Sequence, residues 1–411
     1  MKPICIIPIR SGSKGLPDKN MLYLDGKPMA FHTIQAALDS HLFDKEAIVV
    51  STDSSLYSDL CREMGIRVVL RSEALASDQA TTYDVLEDFL APYADEQVFV
   101  LLQATSPLRT GQDIREAYQL FDPSNCHAVV SFSAVDKHPS LFTRLSADGM
   151  AQDIVGIDKG YRRQNQAPLY YPNGAIFMAT KGGYLSEKSF FTEKTKAYLM
   201  PAQRSLDVDN LTDFKHAMGL MGFDYAKQDE KNKASFARQF EALAEAGGQS
   251  ALIWGDDRLL GLELAGFTNQ SLAGGRLANF LAHCDHLLTA DVTTVLVSLG
   301  VNDVMVGADV SSIKKDFEGL FDKLAGRKVY VTTIAHSLFR SELSNADIAA
   351  INAWLRDFCQ EKGLAIWDLN QLLARDGKLR YDLTDDGLHY NAQGKALLQA
   401  GLQDFLKTVK E

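Results

Sequence analysis

Three cations, Arg10, Lys14 and Lys19, share one short stretch near the start of the chain, RSGSKGLPDKN. Gly12 and Gly15 lie among them and let the backbone approach an anion closely. Such a set can neutralise a triphosphate as its charge moves onto a leaving pyrophosphate. Neither G-x-x-x-x-G-K-[ST] nor G-x-G-x-x-G is present, so the two common phosphate cradles are excluded. On composition alone the stretch also reads as a solvated basic loop. Far downstream, Ser205-Leu-Asp207-Val-Asp209 sets two carboxylates two positions apart. In an extended segment both would face one side, where they would suit a divalent cation among phosphate oxygens. The alternative is plain polar surface. Further groups are the polar turn after residues 101–102, with Gln103 and Arg109, then Arg163, Asn173, and the pair Phe190-Phe191. The two aromatics on their own read as core.

Elements able to position these residues are legible around them. Residues 4–9 form an apolar run that ends at the basic loop. Residues 29–38 have helical spacing, and residues 47–51 and 98–102 are further apolar runs. Strands alternating with helices indicate an α/β domain with a mainly parallel sheet and a site at the strands' C-terminal ends. Around residues 130–176 the alternation breaks, which reads as an insertion on the sheet. It resumes near residues 197–200. Residues 226–248 are charged, then Ala-rich, then end in Gly-Gly, and mark a helical connector between domains 1–225 and 249–411. From residue 251 the alternation starts again with ALIWG, VTTVLVSLG, KVYVTTIA and LAIWDL as strands.

The 411 residues fit two domains at roughly 100–200 residues each. A net charge of −11 argues against nucleic acid as a partner, because phosphate backbones select basic surfaces. It leaves room for a small anionic substrate in a locally basic pocket. Five scattered cysteines without a C-x-x-C pair argue against a disulfide framework or zinc site and for a reducing cytoplasm. No apolar run approaches the ~18 residues of a membrane span, and the N-terminus lacks a signal-type apolar region.

The clusters of the first half, taken together, resemble the CMP-sialic acid synthetases, or N-acylneuraminate cytidylyltransferases. The matching stretches are IPIRSGSKGLPDKN, VSTD (50–53), VVLRSEALASD (68–78), LLQATSPLRTG (101–111), YPNGAIFM (171–178) and SLDVD (205–209). They come in the family's order over about residues 1–220. The resemblance implies a nucleotide-diphosphosugar-transferase-like sheet, CTP and a sialic acid as substrates, and Mg²⁺ or Mn²⁺ as cofactor. It also implies a homodimer formed by the insertion near residues 136–172. Residue by residue, it makes Arg10, Lys14 and Lys19 triphosphate-binding cations and Asp207 and Asp209 metal ligands. Asn20 and Arg71 become CTP contacts, and Ala80 and Thr82 approach the nucleotide. Gln103, Phe177, Phe190 and Phe191 fall at sugar-pocket positions, and Arg163 and Asn173 near sugar and nucleotide. After His138-Pro139, where relatives place a basic residue, this chain has Ser140-Leu141-Phe142, with Arg144 following. The rival readings are a cytidylyltransferase for another ulosonic acid (Kdo, legionaminic or pseudaminic acid) and a non-catalytic CMP-sugar binding protein.

In the second half, IWGDD (253–257), NQSLAGG (269–275), SLGVND (298–303) and DGLHYN (386–391) resemble the SGNH, or GDSL, hydrolases. That resemblance implies a flavodoxin-like three-layer domain. Gly274 and Asn302 would be oxyanion donors, and Asp386 and His389 the orienting carboxylate and base. Asp257 stands where the family has its nucleophilic serine. Three readings follow. The domain has lost esterase activity and kept a binding or assembly role; or Asp257 is a change in an otherwise complete esterase; or Asp257 activates water directly. The pairing with a sialic acid synthetase implies an O-acetylated sialic acid as ancestral substrate.

Overall fold

The computed structural model describes residues 2–77, 79–152, 167–223 and 250–409. Arg163 and the expected connector at 226–248 lie outside the described residues. Two compact units divide the chain near Met221. Among the described residues no helix is long and apolar enough to cross a membrane.

The first unit is built on a seven-stranded sheet of described residues. Its strands are β1 (Ile4–Ile9), β2 (Ile48–Thr52), β3 (Arg67–Leu70), β4 (Val98–Leu101), β5 (Ala128–Ala134), β6 (Tyr170–Thr180) and β7 (Thr195–Leu199), in the order β3-β2-β1-β4-β6-β5-β7. β1 lies in the sheet interior, parallel to its neighbours β2 and β4. Its residues Ile4, Ile6, Ile7 and Ile9 are buried. A strand covered on both faces needs such an unbroken apolar run rather than alternation. β6 runs antiparallel to β4 and β5. The sheet is therefore mixed, and part of the stretch expected as an insertion is an integral strand. Ala175–Ala179 is an unbroken apolar run without alternation, because this strand too is buried on both faces.

Helix starts are fixed beside the segments that matter. Reciprocal capping by Thr81 and Asp84 begins α2 (Thr82–Leu90), and by Asn210 and Asp213 begins α4 (Leu211–Leu220). Between them, α1 (Met29–Asp39) and α3 (Gly111–Gln119) pack on each other. A Cβ on Gly111 would sit 2.6 Å from the Asp39 backbone, so the α1–α3 approach requires glycine there.

Among the described residues the main sheet of the second unit has five parallel strands, β8 (Ala251–Gly255), β9 (Thr268–Asn269), β10 (Thr294–Ser298), β11 (Lys328–Thr332) and β12 (Ala365–Trp367). They lie in the order β9-β8-β10-β11-β12. Counted from the first strand this is 2-1-3-4-5, the flavodoxin-like order. The core gathers around Trp254, Phe280, Val297 and Phe317. Trp254 is fully buried, and its indole N–H donates to Gln270 Oε1 at 3.0 Å, which removes the cost of burying that donor.

Candidate active site

The C-terminal ends of β1 and β4 open onto a cavity of about 590 Å³. Arg10, Lys14, Lys19, Asn20, Arg71, Ala80, Thr82, Gln103, Asp207 and Asp209 all border it. These residues come from segments spread over some two hundred positions, and the sheet edge is what brings them together. This is the crevice at which open α/β sheets hold ligands.

The basic loop is tied down from three directions. Asp53, at the end of β2, accepts from the Ser11 N–H and the Ser11 hydroxyl, both at 2.9 Å. Asn20 is buried, and its amide donates to the Arg10 carbonyl at 3.0 Å. Arg71 donates to the carbonyls of Ile9 at 2.7 Å and Ser51 at 3.2 Å, while its Nε is buried without a partner. Burial lowers the Arg71 guanidinium from its ordinary range, with Asp53 opposing that shift and Arg10 adding to it. Arg71 thus stitches the ends of β1 and β2 and borders the cavity at the same time.

The Asp207–Asp209 segment is a loop in which the middle residue is buried and its two neighbours border the cavity. Val208 is fully buried in a cluster with Leu24, Met29 and Phe214, and its N–H donates to the Thr105 carbonyl at 2.8 Å. That anchor turns Asp207 and Asp209 toward the cavity. Asp213 accepts from the Asp209 N–H at 3.0 Å, so the capping of α4 also fixes the backbone of Asp209. Lys19 Nζ donates to Asp209 Oδ1 at 2.9 Å. Asp207 Oδ1 is buried without a partner. Burial raises the Asp207 carboxyl, and repulsion from Asp209 adds to that; a hydrogen bond from Thr105 and the Lys19 charge oppose it. An orphaned carboxylate oxygen beside a second carboxylate fits a hard divalent cation that takes its other ligands from water and phosphate. Among the described residues no group of three or more His, Cys, Asp or Glu could hold a metal by itself.

Several residues expected near the sugar do not line this cavity. Phe177 and Phe190 are buried in the core of the first unit, with ring centroids 5.1 Å apart. Phe191 is half exposed and meets Phe177 edge-on at 6.4 Å, away from the cavity lining. Asn173 is buried and structural: it accepts from the Ser131 hydroxyl at 2.6 Å and donates to Ser205 Oγ at 2.9 Å. It thereby holds the strand end and the start of the Asp207 segment rather than bordering the cavity.

Three positions have contacts that the sequence did not assign them. Asp53 anchors the basic loop; in the sequence it was visible only as the end of the matching stretch VSTD. Arg109 is buried and donates to the carbonyls of Ala175 and Gln103 and to Thr33, holding the Gln103 backbone in place. Burial lowers its guanidinium to about 10, against the charges of Cys5 and Asp113. Gly174 has φ +76°, and a Cβ there would fall 2.6 Å from Gln103 Oε1 and 3.7 Å from Asp207 Oδ2. Only a glycine lets these two cavity residues stand so close to the β6 backbone.

In the second unit, the four expected blocks lie at or after the ends of β8, β9 and β10 and in the loop before the last helix, α5 (Ala392–Thr408). Asp386 Oδ2 and His389 Nδ1 are 2.6 Å apart, and the same carboxylate accepts from the backbone N–H groups of Leu388 and His389. Although burial opposes it, those hydrogen bonds hold the Asp386 carboxyl well below its usual range. Asp257 Oδ1 accepts from the Gly274 N–H at 2.7 Å, and Asp257 Oδ2 accepts from Asn302 Nδ2 at 2.8 Å. Gly274 and Asn302 therefore converge on the Asp257 carboxylate, each donating to one of its oxygens.

Residues 4–241 match the family model described as Cytidylyltransferase, and residues 232–397 match that of the GDSL-like Lipase/Acylhydrolase family. A relative from Streptococcus agalactiae serotype V, an N-acylneuraminate cytidylyltransferase, is 51% identical over 412 residues and covers 100% of both chains. Another of that name, from Escherichia coli O18:K1:H7, is 31% identical and covers 99% of each. A CMP-N,N'-diacetyllegionaminic acid synthase from Legionella pneumophila is 36% identical over 54% of this chain and 97% of its own. The cationic loop and the paired carboxylates on one cavity agree with these likenesses, and the chain belongs to the N-acylneuraminate cytidylyltransferase family, with a GDSL-like domain in its second half.

Proposed function

We propose that the first unit transfers CMP from CTP to the anomeric hydroxyl of a sialic acid and releases pyrophosphate. The observation that carries this reading is the convergence of Arg10, Lys14 and Lys19 with Asp207 and Asp209 on one cavity at the sheet's C-terminal edge. In the reaction the sugar oxygen forms a bond to the α-phosphorus, the bond to the β-phosphate bridging oxygen breaks, and the hydroxyl proton goes to solvent. Arg10 and Lys14 border the space a triphosphate would fill and offset the charge that accumulates on the leaving pyrophosphate. Asn20 and Arg71 keep that loop in place by their bonds to β1 and β2 backbone, so much of the rate gain is positioning. Asp207 and Asp209 would hold a divalent cation, whose chemistry is charge stabilisation on phosphate oxygens. Gln103, beside Gly174, is the residue we assign to the sugar side.

The boundary between the two domains falls in residues 226–248 on this reading. The protein acts as a homodimer in the cytoplasm. Phe142, Leu145, Met150, Tyr170 and Tyr171 are exposed large apolar residues within or beside the stretch between β5 and β6, which supports a self-association face there. The free, buried Cys5, Cys61, Cys126, Cys284 and Cys359 fit a reducing compartment.

Purified protein with CTP, Mg²⁺ and N-acetylneuraminic acid should release pyrophosphate. A panel including Kdo, legionaminic and pseudaminic acids tests the sugar, and faster turnover of one of these would reassign it. Absence of pyrophosphate with every sugar would overturn the reading. Sedimentation of the unaltered chain and a Leu145→Asp variant tests the dimer.

A further inference from the structure

Hydrogen-bond donors that approach one place from different loops make a site for an anionic oxygen group. In the second unit the Gly274 N–H and the Asn302 amide both reach the Asp257 carboxylate, the first on Oδ1 at 2.7 Å and the second on Oδ2 at 2.8 Å. Gly274 has φ +69°, a conformation that turns its N–H inward and favours glycine. Asn302 also donates to the Gly275 carbonyl at 3.1 Å, which fixes its amide. The base dyad is on the same side of the unit. Asp256, Arg258 and Tyr390, chain neighbours of Asp257 and His389, line one small cavity. The Arg258 guanidinium lies 6.0 Å from the Tyr390 ring.

The backbone commits the Asp257 side chain to this point. Asp256 caps the short 3-10 turn that starts at Asp257 by accepting from the Arg258 N–H at 3.0 Å. The turn leaves the Asp257 carboxylate with one oxygen on each donor. A carboxylate so placed has the charge and the two-oxygen geometry of a bound acetate. Ser271 is not a substitute nucleophile. Its Oγ is buried without a partner, only 2.5 Å from where a Cβ on Gly255 would stand.

We infer that Asp257 is the resident ligand of this oxyanion hole, and that its carboxylate keeps the second unit from hydrolysing acyl esters. An ester carbonyl would have to displace a charge-assisted pair of hydrogen bonds, and its developing oxyanion would face a fixed negative charge. The hole is thus a carboxylate-binding site filled from within, next to an Asp386–His389 dyad left without a nucleophile.

The test uses the full chain and four variants. With p-nitrophenyl acetate the unaltered chain is expected to match the buffer rate. Asp257→Ser should hydrolyse it at least ~10²-fold faster, and adding Asn302→Ala should remove most of that gain. Asp257→Gly removes the resident carboxylate and leaves both donors open. At constant ionic strength, acetate should raise the melting temperature of Asp257→Gly by at least about 2 °C and leave that of the unaltered chain unchanged. Hydrolysis by the unaltered chain that disappears on His389→Ala would overturn the inference, because Asp257 would then be working chemistry. It would equally be overturned by a folded Asp257→Ser variant inert toward the ester, or by a folded Asp257→Gly variant indifferent to acetate.

Discussion

Lys19 and Asp209 are 190 positions apart in sequence, and Lys19 Nζ lies 2.9 Å from Asp209 Oδ1. The Lys19 side chain is only 15% exposed and that of Asp209 is 71% exposed. The pair joins the group expected to meet a phosphate to the group expected to meet a cation. Each neutralises the other until substrate supplies a better partner. A pair this exposed on one side is worth little to stability, so its residues are free to exchange partners at modest cost.

Replacing Asp209 with Ala is therefore expected to leave the melting temperature nearly unchanged and to lower turnover at least ~10²-fold, the scale of losing a transition-state charge partner. Pyrophosphate release at saturating CTP, beside a thermal melt, checks both halves of the expectation.

Gly174→Ala should act on stability and substrate together. A residue with a Cβ at φ +76° costs about 1–2 kcal/mol, and the added carbon would displace the Gln103 side chain. The variant should melt earlier and show a raised KM for the sugar with a smaller change for CTP. Steady-state kinetics with each substrate varied in turn would separate the two.

Arg204 donates twice to the buried Asp113 carboxylate, at 2.7 and 3.0 Å. Burial alone would raise the Asp113 carboxyl, but hydrogen bonds from Arg204 and Thr110 outweigh it and hold it below its usual range. Arg204→Ala should cost about 1.5–3 kcal/mol near neutral pH, the range for hydrogen bonds to a charged group. Because the folded-state value is depressed, that contribution is present above about pH 4, the ordinary carboxylate value, and fades as pH falls below it. Denaturant unfolding of both proteins from pH 7 to pH 3 should show the gap closing at the acid end.

Asp256 behaves in the opposite sense. Burial raises its carboxyl to about 7, with the Arg258 charge and N–H opposing the shift. Between about pH 4 and 7 the folded state keeps a proton there that the unfolded state has lost. The stabilisation is complete below about pH 4 and falls as pH rises toward 7. Asp256→Asn should remove that slope from the unfolding of the second unit. A variant whose stability runs parallel to the unaltered chain across this window would contradict the assignment.

The sequence by itself determined the two α/β units, the strand ends on which chemistry would sit, and the residue types gathered there. Buried strands demand unbroken apolar runs, and loops after them are free to carry charge, so Arg10, Lys14 and Asp209 stood out in their local contexts. Pattern could not reveal which side chains face the cavity. Phe177 and Phe190 look alike as pocket or core in one dimension, and only the packing of Phe190 on Phe99 and Tyr184, and of Phe177 on Phe190, assigns them to the core. Asn173 likewise became a bracing residue once Ser131 and Ser205 met it from other segments. At Asp257 the sequence registered a missing serine and left three consequences open. The tertiary structure showed what took its place, because two donors from separate loops, Gly274 and Asn302, meet only after the chain has folded.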